Sequence, residues 1–72
     1  MARKGKYFEK SAKQAIKDKM RCLDDFGICE INDRDMIAEL EGEIAKYPNK
    51  DPRIVLDMYC RPMIQKKVNS WQ

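Results

Sequence analysis

Three cysteines and a series of regularly spaced carboxylates are the side chains of this 72-residue chain that could carry chemistry. Cys22, Cys29 and Cys60 would supply a nucleophile or thiolate metal ligands if a neighbouring base activated them. The sequence contains no histidine for that purpose, and the six residues between Cys22 and Cys29 match neither a redox motif nor a zinc motif. The residues therefore predict buried, inert thiols, with no catalytic residue and no cofactor.

The carboxylates with the most regular spacing are Asp35, Glu39 and Glu43, which follow one another at i, i+4 and i+8 and are called the acidic ladder below. Like charges at this spacing destabilise an isolated helix, so a positive group is expected nearby. It would belong to the same chain, to a second copy or to a foreign basic surface. Without histidine or a calcium-loop pattern, no metal site is predicted.

The basic residues are sorted along the chain as strongly as the acids. Residues 1–21 carry eight bases against two acids, a net charge of +6, residues 22–48 carry −6, and residues 49–72 carry +3. At 100° per residue, five of these bases share the polar face of a helix. They form the basic stripe: Lys6, Lys10, Lys13, Lys17 and Arg21. Such a stripe is either a phosphate-binding surface with salt-dependent affinity or the solvated back of an amphipathic helix.

Further candidates for nucleic-acid or partner binding lie in the last third of the chain. Arg53 would stand at the start of a recognition helix if the segment from Asn32 to Arg61 were a helix-turn-helix unit, although the preceding acidic helix argues against that fold. Arg53, Asp57 and Arg61 would otherwise form an exposed salt-bridge ladder. The tail combines two bases with an aromatic ring and an apolar end that suits a partner protein: Lys66, Lys67, Trp71, Met63 and Ile64.

The elements that position these residues follow from apolar spacing and from cap residues. Steps of three and four predict a first helix from Tyr7 to about Phe26, ended by Gly27. Asn32 is predicted to cap a second helix, and Asp51-Pro52 to begin a third. Apolar residues surround the third helix almost completely, so it is expected to be the most buried, with a kink or a restart at Pro62.

These elements predict one all-α domain over residues 1–72, a small three-helix bundle with a proline-kinked third helix and frayed ends at about 1–6 and 69–72. A bundle this short rarely encloses a catalytic pocket, so no enzyme is expected. The sequence contains neither a signal-peptide h-region nor a membrane span, which predicts a reduced, cytoplasmic protein with no membrane partner.

The expected function is that of a small regulatory protein, of the kind common in phages and mobile elements, that binds DNA or a larger DNA-associated protein through the basic stripe. Two alternatives remain. The first is a protein-only adaptor or inhibitor that uses the acidic ladder with Met63, Ile64 and Trp71. The second is a structural homodimer in which acidic and basic faces meet.

Overall fold

The computed structural model describes residues 10–71, and the side chains of residues 11–71. Within this range three helices and no strand follow one another: α1 (Lys10–Asp25), α2 (Arg34–Lys46) and α3 (Pro52–Ser70). Each helix packs against the other two. The predicted all-α three-helix bundle is therefore confirmed.

The core is built from one apolar stripe of each helix. α1 contributes four buried residues at steps of one, three and four, as its spacing predicts, and α2 contributes Leu40. α3 contributes Leu56 and Cys60, so the three stripes meet in one cluster, and Val55 of α3 is buried outside that cluster. The buried residues of α1 are Ala15, Ile16, Met20 and Leu23.

The end of α1 is fixed by a glycine in the left-handed region, as predicted. Gly27 has φ of 75°, and its N–H donates to the carbonyl of Asp24 at 2.9 Å. The N–H of Ile28 donates to the carbonyl of Leu23 at 2.9 Å, and Ile28 packs against the core cluster. This pattern is a Schellman motif, which satisfies the last carbonyls of the helix and turns the chain toward α2.

α2 begins one residue later than the sequence predicts, because the cap is Asp33 and not Asn32. Asp33 has φ of −61° and ψ of 112°, and its Oδ1 accepts a hydrogen bond from the N–H of Met36 at 3.0 Å. Both residue types are good caps, but a carboxylate adds its charge to the hydrogen bond at the positive end of the helix dipole.

α3 begins as predicted, with Asp51 as the N-cap and Pro52 in the first turn. Two of the apolar residues that were expected to bury α3 are exposed. Ile54 is 55% exposed and Met58 is 59% exposed. α1 and α2 cover two sides of α3, and in a bundle of three helices no further helix covers the third side.

α3 continues through Pro62 to Ser70 without a break, so the restart expected at that residue is not found. Pro62 is exposed, where its ring meets solvent, and it lacks the N–H that would pair with the Met58 carbonyl. The kink itself stays a prediction. Asn69 and Ser70, where fraying was expected, belong to the helix, and Gln65 donates to Asn69 at 3.0 Å.

Candidate nucleic-acid interface

The part of the basic stripe that the structure describes is an exposed row of three cations along α1. Lys13, Lys17 and Arg21 are all exposed, and none forms an ion pair with a described residue. Consecutive members are four residues apart, which is about 6 Å along the helix axis. Lys6 and the side chain of Lys10 lie outside the described part of the chain.

One acid of α1 that could have neutralised this row is engaged elsewhere. The sequence offers Asp18 to Arg21 at i, i+3, but Asp18 accepts a hydrogen bond from Gln14 Nε2 at 3.0 Å. The second offered pair, Glu9 with Lys13, has its acid outside the described residues. Among residues 11–71, the stripe thus forms no ion pair, although the exposed carboxylates of Asp18 and Asp24 remain charged on the same helix.

Four other cations have acidic partners. Lys46 Nζ lies 2.9 Å from Glu43 Oε2, and Arg53 Nη2 lies 2.8 Å from Asp51 Oδ2. Asp57 binds two cations, Arg61 at 2.8 Å within α3 and Lys19 of α1 at 3.6 Å. Lys19 thus pairs with a carboxylate of α3, whereas Lys13, Lys17 and Arg21 form no ion pair with α3.

Two carboxyls of these pairs, Asp51 and Asp57, have pKa values below their usual range. The hydrogen bond from Arg53 lowers the pKa of Asp51, helped by the backbone N–H of the same residue. The hydrogen bond from Arg61 lowers the pKa of Asp57, with a further contribution from Lys19. The predicted ladder over Arg53, Asp57 and Arg61 is therefore present as the Asp57–Arg61 pair, with Arg53 bound to its own cap residue.

Two carboxylates of the acidic ladder have contacts within the chain, and neither contact involves the basic stripe. Glu43 pairs with Lys46 of its own helix, and Glu39 accepts a hydrogen bond from the Tyr59 hydroxyl at 2.8 Å. That hydrogen bond raises the pKa of Tyr59 and joins α2 to α3. Asp35 is exposed and has no ion pair among the described residues. Pairing between ladder and stripe within the described chain is thus not found.

The helix-turn-helix candidates at the start of α3 have contacts within the chain. Arg53 donates through Nε and Nη2 to the two carboxylate oxygens of Asp51, at 3.2 and 2.8 Å. The amine of Lys50 lies over the Tyr47 ring, 5.2 Å from its centroid. Both contacts hold these cations against the connector between α2 and α3.

The far end of α3 contains an aromatic pair that the sequence did not reveal. Trp71 stacks on Phe26, with ring centroids 5.7 Å apart and an angle of 18° between the planes. Neither Lys66 nor Lys67 forms an ion pair with a described residue. No sequence signal links positions 26 and 71, because only the packing of α1 beside α3 brings them together.

Met63 and Ile64, expected to form an exposed apolar patch, are half-buried and pack against the core. The expectation of exposure is wrong because the helix continues past Pro62 and keeps these residues over α1 and α2. Exposed apolar side chains of α3 lie five to ten residues earlier, at Ile54 and Met58.

The cysteines divide into one buried thiol and two half-buried ones. Cys60 is fully buried, and burial raises its pKa to about 11. Burial, with Asp33 and Asp24 nearby, also raises the pKa of Cys29. Cys22 and Cys29 are half-buried, so the prediction of full burial holds for Cys60 alone. At neutral pH the Cys60 thiol is protonated and is therefore a poor nucleophile.

A groove of about 600 Å³ lies between α1 and α3, with Ala15 and Leu56 beside the exposed Ile54 and Met58 and with Lys19 and Asp57 among its charged residues. Its volume reaches the range of ligand sites, but the groove is open to solvent and does not enclose a pocket, so the expectation that this protein is not an enzyme stays a prediction. Across residues 10–71, no group of three Cys, Asp or Glu residues is arranged to hold a metal ion.

Within the described part of the chain, none of the three helices combines the length and the apolar character that a bilayer span requires. Comparison of the chain with protein-family models, with curated proteins and with solved structures gave no match. The function of this chain is therefore inferred from the chemistry of its surfaces.

Proposed function

We propose that this protein is a small non-enzymatic regulatory module that binds DNA through the basic stripe of α1. One observation carries the proposal: Lys13, Lys17 and Arg21 form an exposed row of one sign, with no acidic partner among the described residues. Four of the other cations form ion pairs within the chain. The stripe is therefore the surface of α1 that a polyanion can occupy without first breaking an ion pair.

The geometry suits phosphates better than isolated anions. Three cations about 6 Å apart on a straight helix offer a linear array of charge, and a DNA strand carries phosphates in a comparable linear array. Each phosphate that the stripe neutralises releases condensed counterions, so the affinity should fall steeply as salt rises. Exposed lysines contribute such binding without base readout, which makes it independent of DNA sequence.

A duplex-binding titration with two charge-matched variants tests the proposal. The stripe variant is Lys13→Gln with Lys17→Gln, and the control is Lys46→Gln with Arg61→Gln, which removes the same charge from cations that have acidic partners. Fluorescence anisotropy of a labelled 30-base-pair duplex at several salt concentrations reports both affinity and salt slope.

At 0.1 M salt we expect the stripe variant to lose on the order of tenfold in affinity per substituted lysine, with a slope smaller by about 0.9 per lost contact. The control variant should lose much less. Equal losses in the two variants would show that net charge alone governs binding, and the basic stripe would then have no special role.

A protein partner is the second candidate, and the exposure of the acidic ladder favours it. Asp35 is exposed without an ion pair among the described residues, and Glu39 contacts a neutral hydroxyl. Such carboxylates would fit a basic protein surface. If the wild-type protein binds no duplex even at low salt, affinity capture with an Asp35→Lys, Glu39→Lys variant as the comparison becomes the experiment of choice.

A homodimer, in which the acidic ladder of one copy meets the basic stripe of another, is tested by sedimentation equilibrium. A dimer of this kind should dissociate as salt rises, since exposed ion pairs are screened.

A further inference from the structure

We propose that the indole of Trp71 is a stacking platform for an unpaired base, so that the nucleic acid bound by this protein is single-stranded where it meets the end of α3. The inference deepens the proposed function and rests on it, because both need a nucleic-acid ligand. It stands on the geometry of Trp71 and Phe26 and on the lysines beside them.

Trp71 is unusual because it is both packed and exposed. It stacks nearly parallel on Phe26, yet 58% of its surface is exposed to solvent. A ring that is covered by a parallel ring on one side and is still more than half exposed offers its other face to a ligand. The ligand that complements an exposed, flat aromatic face is another flat π system.

Phe26 and Trp71 both have backbones that are fixed by hydrogen bonds at the ends of helices. The N–H of Trp71 donates to the carbonyl of Val68 at 3.1 Å, which places Trp71 at the C-cap of α3. The N–H of Phe26 donates to the carbonyl of Cys22 at 3.1 Å, directly before the left-handed Gly27. These bonds fix the backbone, and the stack on Phe26 restricts the indole itself, which therefore loses less conformational freedom on binding than a free terminal side chain would.

Lys67 supplies positive charge next to this ring, and the exposed Lys66 precedes it on α3. Lys67 lies in the last turn of α3, and a methyl group placed on Gly27 would be 3.7 Å from its Cε, so its chain crosses the turn that holds Phe26. The combination of an aromatic face with backbone-neutralising cations is what proteins use to bind single strands.

Duplex DNA fits this end of the bundle less well than a single strand does. Asp24 and Asp25 are exposed immediately before Phe26, and they oppose a dense array of phosphates. The bases of a duplex are also stacked on one another, so none is available to Trp71 without unpairing. A single strand presents one free base at a time and can place its phosphates toward the lysines.

Tryptophan fluorescence is a direct probe, because Trp71 is the single tryptophan of the chain. The wild-type protein is titrated with a 12-nucleotide oligothymidine and, separately, with a 12-base-pair duplex, while anisotropy of labelled strands reports binding independently. We expect saturating quenching by the single strand and little quenching by the duplex at equal occupancy.

Two substitutions separate stacking from simple apolar contact. Trp71→Leu should lower oligothymidine affinity on the order of tenfold, the effect of one lost stacked base, while Trp71→Phe should keep most of it. Circular dichroism of each variant establishes that the bundle is folded. Because stacking involves no charge, the ratio of wild-type to Trp71→Leu affinity should change little with salt.

The outcomes distinguish the two proposals. Binding of oligothymidine without any change in Trp71 fluorescence, or equal affinity of the Leu and Phe variants, would overturn the stacking platform and leave the basic stripe intact. The Lys13→Gln, Lys17→Gln variant should bind both ligands more weakly yet show the same quenching at saturation. Absence of binding to either ligand at low salt would overturn both proposals.

Discussion

Two charged ladders of identical spacing occupy different helices and differ in sign pattern. Lys13, Lys17 and Arg21 on α1 repeat one sign, whereas the Arg53, Asp57 and Arg61 series on α3 alternates. In the α3 series Asp57 binds Arg61 and also Lys19 of α1, and Arg53 binds Asp51. The α3 ladder is thus neutralised by its own neighbours and ties two helices together, while the α1 ladder keeps its charge.

The comparison shows that spacing alone does not separate a binding surface from a structural one. An alternating ladder at i, i+4 gains a few tenths of a kcal/mol per pair and presents little net charge. A ladder of one sign loses a comparable amount from helix stability, which a bound polyanion would offset. The exposure of such a ladder without ion pairs among the described residues is the reason for proposing that α1 binds a polyanion.

The largest expected effect comes from giving the α1 ladder the sign pattern of the α3 ladder. Lys17→Glu creates two opposite-charge pairs, with Lys13 and with Arg21, and replaces a proposed phosphate contact by a repulsion. Duplex affinity at 0.1 M salt should fall by one to two orders of magnitude, roughly what two phosphate contacts contribute. Thermal stability should rise slightly, by a few tenths of a kcal/mol per new pair.

The converse variant is the matched control for that prediction. Asp57→Lys makes the α3 ladder positive throughout and leaves Arg61 and Lys19 without their common carboxylate. Its stability should fall, and its duplex affinity should rise no more than the added charge explains. A Lys17→Glu protein that binds duplex as well as the wild type contradicts the role given to α1.

A stability change that touches neither ladder should leave binding unchanged. Gly27→Ala forces a Cβ into the left-handed region at φ of 75°, which costs about 1 kcal/mol. The nearest side-chain atom would be 3.7 Å away, so the cost is conformational and not steric. Urea unfolding should show the loss, and duplex affinity measured well below the melting temperature should match the wild type. A loss of affinity here would mean that binding follows global stability.

The smallest expected effect concerns how the free energy of unfolding changes in acid, and it comes from the carboxyls that pair with cations of α3. The pKa values of Asp51 and Asp57 are lowered by Arg53 and Arg61, respectively, so these carboxyls stabilise the fold fully above their unfolded pKa near 4. Their contribution should disappear as the pH falls through the lowered folded values. In Asp57→Asn, the free energy of unfolding should therefore change less with pH in that acid range. Between pH 5 and 7 its dependence on pH should match that of the wild type. An equally steep acid profile in Asp57→Asn would contradict the assignment to this residue.

Local signals in the sequence predicted the helices well because they involve residues a few positions apart. The Gly27 stop and the Asp51-Pro52 start were correct, since each depends on backbone geometry that one or two residues impose. The start of α2 was displaced by one position, because Asn32 and Asp33 are both good caps and only the built helix selects between them.

Predictions that depended on long-range packing were less accurate. Ile54 and Met58 were expected to be buried, and they are exposed. An apolar stripe indicates that a helix face can be covered, but it does not show whether another helix lies over that face. The same limit applies to the partners of the acidic ladder, where Tyr59 contacts Glu39 from twenty positions away.

The sequence by itself determined three amphipathic helices, their main stops and the positions of three charged ladders, because hydrophobic periodicity and capping are short-range properties of the chain. Only the tertiary structure decided which cations meet an acid, which side of α3 remains open, and that Phe26 lies under Trp71. Those features depend on distances between residues far apart in sequence, which are fixed only when the three helices pack around a common core.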